Sequence, residues 1–223
     1  VKAFRKCKSR KKWLRIHRDF EWPDTYTPEN LEDLKQFYDR YLKDIHNGWE
    51  MTPKVRVDVM DAYDNDYCQR RPETSFPLDR TEYRKYYFDA SKHIGGDVYE
   101  MSETPVENEA SVSYDGQTGQ VEFDLQFKED TELTGYMMIH MFVEADGHDD
   151  MDLFINVQKA DADGNWIPWF TLNEPHPGAW GKCRVSRREL DEKLSTKFNP
   201  VLKHERELKL SKGEIVPVDI AIV

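Results

Sequence analysis

No apolar run in this chain of 223 residues approaches the roughly 20 residues that a membrane-spanning helix needs, so no membrane partner is expected. The N-terminus has basic residues, Lys2, Arg5 and Lys6, but not the apolar segment that would follow them in a secretory signal. Cysteine is scarce. Cys7, Cys68 and Cys183 are an odd number at wide spacing, which fits neither a disulfide framework nor a zinc site. Free thiols in a reducing compartment are expected, with the cytoplasm favoured. Positive charge is in deficit, with 32 Lys and Arg against 43 Asp and Glu, and the net charge of -11 repels phosphate backbones and anionic headgroups. Nucleic acid is therefore not an expected partner. The basic opening from Lys2 to Arg18 does not reverse this, because Trp13, Leu14 and Ile16 interrupt it, and it reads as a solvated helix face. Internal repeats and low-complexity segments are absent. The chain does not begin with Met, and the expectation is a fragment of a longer protein.

What is present suffices for a folded core, since 38% of the residues are hydrophobic and 13% aromatic. Val1 to Ser9 read as the end of a helix, Trp13 to Ile16 as a short strand, and His17 to Asp24 as a loop. The clearest local signal follows. Thr27 stands as N-cap with Pro28 at the first helical position, Glu29 and Glu32 fall in the first turn, and Gly48 lies beyond the end. Leu31, Leu34, Phe37, Tyr38, Tyr41, Leu42 and Ile45 recur at three and four, predicting one buried stripe.

After Gly48 the period becomes alternating, and a second domain is expected from residue 53. Strands are predicted over Lys54 to Met60, Thr81 to Phe88, Ala110 to Tyr114, Gln120 to Phe127, Leu133 to Ala145, Met151 to Ala160, Trp166 to Phe170, Gly181 to Ser186 and Ile215 to Val223. A short helical turn is read at Arg187 to Leu190, and Gly and Asx residues mark turns at 115–119, 147–150 and 161–165. The fold class is mainly β, a jelly-roll sandwich, with one strand and one helix of another unit before it.

Three clusters invite a chemical reading. Asp161 to Asn165 resembles the start of a calcium loop, but its twelfth position is Leu172 rather than an acid, and a hairpin turn is the better account. Asp146, Asp149, Asp150 and Asp152 surround His148 and could attract a hard cation, although Met151, Leu153 and Ile155 alternate with them as in a strand and divide the side chains between faces. Trp166, Trp169, Phe170 and Trp180 could stack on sugars, or could serve as core or interface aromatics. No metal and no cofactor is expected.

His17 differs in kind. A histidine on the loop after the last strand, before a long helix, is where an α/β-hydrolase keeps the base that takes the serine proton and returns it to the leaving group. From spacing alone a lone loop histidine reads first as structural.

The ordered blocks Lys11 to His17, Glu21 to Asp24, Phe37 to Lys43 and Asn47 to Arg56 resemble the end of the hydrolase domain in the CocE/NonD (Xaa-Pro dipeptidyl-peptidase-like) family. A second set, Val143 to Ala145, Asp149 to Phe154, Lys159 to Gly164, Arg184 to Asp191 and Gly213 to Val218, is similar to that family's C-terminal galactose-binding-like jelly roll. The resemblance implies residues 1–52 as the C-terminal end of an α/β-hydrolase catalytic domain and 53–223 as a truncated jelly-roll domain. It also implies a serine hydrolase of ester or amide substrates, with an upstream catalytic domain as partner and a jelly roll that helps wall the substrate cleft. An oligomer is left open. His17 is then the candidate catalytic residue, the sole histidine of its loop, although in the family that histidine can stand further on, where this chain has Arg18, Asp19 and Phe20. G-x-S-x-G has no match here, the acidic member is expected upstream of Val1, and the chain alone is expected to be inactive. The rival reading from another class is a stand-alone carbohydrate-binding sandwich using Trp169 or Trp180.

Overall fold

The computed structural model describes residues 1–18, 20–62, 65–171, 174–176 and 178–223. Asp19 and Leu172, which entered the readings of the histidine loop and of the calcium-like loop, lie outside the described residues.

The chain opens with a short helix α1 (Lys2–Lys6), strand β1 (Leu14–Ile16), a second short helix α2 (Glu21–Thr25) and the long helix α3 (Pro28–Leu42). The segment expected to be a loop thus contains α2, whose Pro23 falls in the first turn, where no intrahelical N–H is needed. Helix α3 starts as predicted, with Thr27 Oγ1 accepting from the Asn30 amide at 3.3 Å. Strand β2 (Val55–Ala62) returns parallel to β1, with Leu14, Arg15 and Ile16 beside Val55, Arg56 and Val57, and β3 (Asn65–Glu73) adds antiparallel on its far side. A β1–α3–β2 crossover therefore spans the boundary expected near Pro53.

This sheet is sided unusually. Val55, Val57 and Val59 are buried with Leu14, Ile16 and Phe4, while the alternate positions Arg15 and Arg56 carry charge on the opposite face. Helix α3 meets that charged face with Asn30 and Asp33, and Arg56 forks onto Asp33 at 2.9 and 2.6 Å. The predicted buried stripe is accordingly corrected. Phe37 and Tyr41 turn inward onto Trp13 and Trp49, whereas Leu31, Leu34, Tyr38, Leu42 and Ile45 are exposed. Apolar periodicity found the stripe but could not tell that the neighbouring sheet face was cationic.

The remainder is β. Strands β4 (Tyr87–Gly95), β5 (Val98–Ser102) and β6 (Glu122–Asp124) form one sheet, and β7 (Met137–Val143) and β8 (Asp152–Val157) open the sandwich. Two hairpins, β9 (Lys159–Ala160) with β10 (Trp166–Ile167) and β11 (Trp169–Thr171) with β12 (Glu174–His176), precede β13 (Ala179–Arg184) and β14 (Val216–Ile222). β14 pairs with β7 along its whole length and β13 with β8. Between these pairs lies the main core of Leu153, Cys183, Val185, Val216, Val218 and Ile220. In β14, Val216, Val218, Ile220 and Ile222 are buried in strict alternation with Pro217, Asp219 and Ala221. The pairs come close at Gly181, where a Cβ would stand 2.6 Å from the Ala221 carbonyl oxygen, so no larger residue fits.

The mainly β class is the expected one, with differences in detail. Thr81 to Tyr86 and Ala110 to Tyr114 form no strand. Tyr83 instead stacks flat on Phe198, ring centroids 3.6 Å apart, and the second segment runs into a turn in which Asp115 Oδ1 accepts from Gln117 and Thr118. Strands β3, β5 and β12 were not foreseen, and the helical turn read at Arg187 to Leu190 is a 3-10 turn at Val185–Arg187.

Candidate functional site

Local geometry at the β1 exit follows from strand alternation. Arg15 faces α2 and α3, and His17 leaves the strand beside it. Helix α2 brings in Asp24, whose side chain is 7% exposed. The Arg15 guanidinium grips both Asp24 oxygens, with Nη1 donating to Oδ1 at 2.8 Å and Nη2 to Oδ2. His17 Nδ1 lies 3.5 Å from the same Oδ1.

Asp24 is held from its backbone as well. Its carbonyl accepts from Asn30 Nδ2 at 2.5 Å, Thr27 Oγ1 at 3.0 Å and the Thr27 amide at 3.2 Å, so the helix cap and the carboxylate form one unit. Asn30 in turn accepts from Arg70 through Oδ1, and Arg70 Nη1 pairs with Glu29 at 3.1 Å. Arg70 reaches α3 because the β2–β3 ladder slips between Val57 and Val59, leaving Arg70 at φ 50 with its amide on Asp58 Oδ1 at 2.7 Å. Three neighbouring strands thus contribute Arg15, Arg56 and Arg70 to one cluster. Burial first, and then the Arg70 charge, pull the Arg15 pKa below its ordinary value.

The geometry at the β1 exit permits acid–base chemistry. A histidine beside a buried, fixed carboxylate can hold its Nδ1 proton toward that acid and exchange a proton through Nε2. Sequence reasoning singled out His17 as a candidate and did not pair it with Asp24. Asp24 stands seven residues on and three before the Thr27 cap, a spacing that does not by itself point to His17.

The other candidates separate. Asp161 Oδ1 accepts from the Asp163 and Asn165 amides, and its turn joins β9 to β10 as a hairpin. Asp150 Oδ1 and Oδ2 take the Ser186 amide and hydroxyl at 2.8 and 2.7 Å. Burial raises the Asp150 pKa, but these bonds outweigh it and leave the value below the usual carboxylate range. Asp152 is spent on a fork with Arg184. Among the described residues no group of three or more His, Cys, Asp and Glu could hold a metal ion. Trp166, Trp169 and Trp180 stand on β10, β11 and β13, and the Lys182 ammonium lies 5.2 Å over the Trp180 ring. No helix among the described residues is long and apolar enough to cross a membrane.

Residues 47–223 match the family model described as the X-Pro dipeptidyl-peptidase C-terminal non-catalytic domain. The chain belongs to that family. Two solved structures of a CocE/NonD family hydrolase from Staphylococcus aureus also align with it, each at 37% identity over 100% of this chain and with a TM-score of 0.92. It covers 39% and 40% of those structures, about two fifths of their length. No curated protein matches. The chain is thus a CocE/NonD-type C-terminal domain, non-catalytic by family description, preceded in the same sequence by β1, His17, Asp24 and α3. Those elements lie before residue 47, and the likeness to the S. aureus hydrolase includes them.

Proposed function

We propose that this chain is the C-terminal portion of a serine hydrolase acting on ester or amide bonds, with Xaa-Pro peptides among the bonds considered, and that its sandwich helps wall the substrate cleft. An upstream catalytic segment supplies the nucleophile and the remaining cleft residues. His17 accepts the proton of the nucleophilic hydroxyl as that oxygen attacks the carbonyl, then passes it to the leaving alkoxide or amine. The observation that carries this reading is the place of His17, directly after a strand parallel to β2, ahead of the crossover helix α3 and 3.5 Å from a buried carboxylate.

Two further features support an upstream partner. β1 pairs with β2 alone among the described residues, so its other edge offers backbone groups to another strand. Beside it α3 shows solvent Leu31, Leu34, Tyr38 and Leu42, with Ile45 exposed just past its end, a stripe that a further layer would cover. A groove of about 580 Å³ runs between α1, β1 and α3.

The test is fluorophosphonate labelling, which reads an activated serine whatever the natural substrate. In it a P–F bond breaks, a serine O–P bond forms, fluoride leaves and the base takes the proton. The full-length protein should label, this chain alone should not, and His17→Ala in the full-length protein should slow labelling by on the order of a thousandfold. Labelling of a folded His17→Ala protein within about threefold of the parent rate would make His17 structural.

A further inference from the structure

We propose that β7 is an interface strand, and that two copies of this protein join their β7 edges antiparallel about a twofold axis, so that one sheet continues across both. Among the described residues β7 pairs with β14 alone, in unbroken register from Met137 to Val143, and its far edge has no strand partner for its N–H and C=O groups. Edge strands are ordinarily blunted by charge, proline, a bulge or brevity. β7 has none of these. It is seven residues long, its ladder does not slip, and among the described strands of five or more residues it is the one without Lys, Arg, Asp or Glu.

The inward side chains of β7 are also incompletely covered. Val216, Val218 and Ile220 of β14 are 5%, 1% and 2% exposed, yet Val143, Met141 and Ile139 directly opposite them are only half-buried against the same core. One more strand beside β7 would bury them.

Symmetry and charge select a second copy as that strand. A strand paired antiparallel with itself makes an isologous contact, which closes at two subunits. Centred on His140, the pairing sets Ile139 opposite Met141 of the second copy and Met137 opposite its Val143, so inward residues meet inward ones and the two cores become continuous. On the outer face Met138 meets Phe142, and the two His140 rings stand side by side, each with Nδ1 2.8 Å from Asp219 Oδ1 of its own subunit. With no Lys, Arg, Asp or Glu on either strand, the meeting edges bring no formal charges of one sign together, although the chain carries a net charge of -11. An edge of seven residues is about 24 Å long at about 3.4 Å per residue, which places the association among the weak, concentration-dependent interfaces of under about 1,200 Å².

The experiment is sedimentation velocity of the full-length protein over a range of concentrations. A monomer–dimer equilibrium is expected. The double variant His140→Lys, Phe142→Lys should raise its dissociation constant roughly tenfold or more, because lysines then stand opposite and diagonal to one another across the axis. Both positions are exposed, and far-UV circular dichroism checks that the fold is kept. Phe154→Lys, an exposed site on the outer face of β8, should leave the equilibrium unchanged. In the parent protein, amide exchange over Met137–Val143 should slow as concentration rises through the equilibrium, a readout that decides the matter even where the double variant does not fold. A protein that stays monomeric overturns the proposal; protection of its β7 amides at every concentration would then show that a strand of the same polypeptide fills the edge. A dimer whose formation leaves β7 exchange unchanged, or that a folded double variant forms as tightly as the parent, is built on another surface and overturns it too.

Discussion

Replacing Trp49 by phenylalanine should leave the stability of the domain nearly unchanged, although Trp49 is 4% exposed and belongs to the aromatic cluster of Trp13, Phe37 and Tyr41. Its ring lies 5.5 Å from both Trp13 and Phe37, with the Arg56 guanidinium at 5.9 Å. Shrinking the indole to a phenyl ring leaves a void of about 40 Å³, which costs about 1 kcal/mol, with some lost transfer energy in addition. Against this, Trp49 Nε1 is buried without a hydrogen-bond partner among the described residues, and a donor in that state costs about 1–3 kcal/mol. The two effects offset each other, so the change should fall within about 1 kcal/mol of zero. Trp13→Phe is the control, because Trp13 Nε1 donates to the Thr52 carbonyl at 3.1 Å and the same shrinkage also breaks that bond. It should cost about 2–3 kcal/mol, and Trp49→Ala, which empties the site, about 3–5. Urea unfolding followed by far-UV circular dichroism gives all three, with the slope m as a check that the denatured state is unaltered. A loss above about 2 kcal/mol for Trp49→Phe at unchanged m would refute the reasoning, because it would mean that the indole proton has a partner.

Two more outcomes follow from ionisable groups. Arg71 forks onto Glu132 at 2.7 Å and holds the Glu132 pKa down from 4.5 to about 2, so this stabilisation is complete above pH 4.5 and is lost as pH falls toward 2. Glu132→Gln should therefore be less stable at neutral pH and converge with the parent near the acid end of that window; parallel curves across it would count against the clamp. Burial, with Asp150 and Asp152 nearby, pushes the Cys183 thiol up to about 11, so in mild alkali Ellman's reagent should modify exposed Cys7 in the native chain and Cys183 only on unfolding. Rapid native reaction at Cys183 would contradict its place in the core.

How the βαβ unit and the sandwich sit in the family is a matter of likeness over the whole chain, and the site rests on fewer residues. His17 stood out as a candidate because a strand signal, a loop histidine and a capped helix occur in order. Asp24 did not, because its pairing with Arg15 and His17 depends on α2 folding back over the β1 exit, and no local pattern encodes that return. Arg70 reached the cluster through a ladder slip, which periodicity does not record.

Local chemistry in the sequence was enough to start α3 at the Thr27 cap and Pro28, to set the hairpin turn at Asp161 to Asn165, and to mark the alternation in β14 that buries Val216, Val218, Ile220 and Ile222. Each of these depends on interactions within a few residues or on a period fixed by backbone geometry. Tertiary structure decided what cannot be local. It paired the charged segment Gln69 to Glu73 with β2, since a strand neighbour supplies hydrogen bonds regardless of side-chain pattern. It also turned Leu31, Leu34, Tyr38 and Leu42 of α3 outward, because Arg15 and Arg56 occupy the sheet face beneath the helix and a buried charge requires a partner such as Asp24 or Asp33 rather than a leucine.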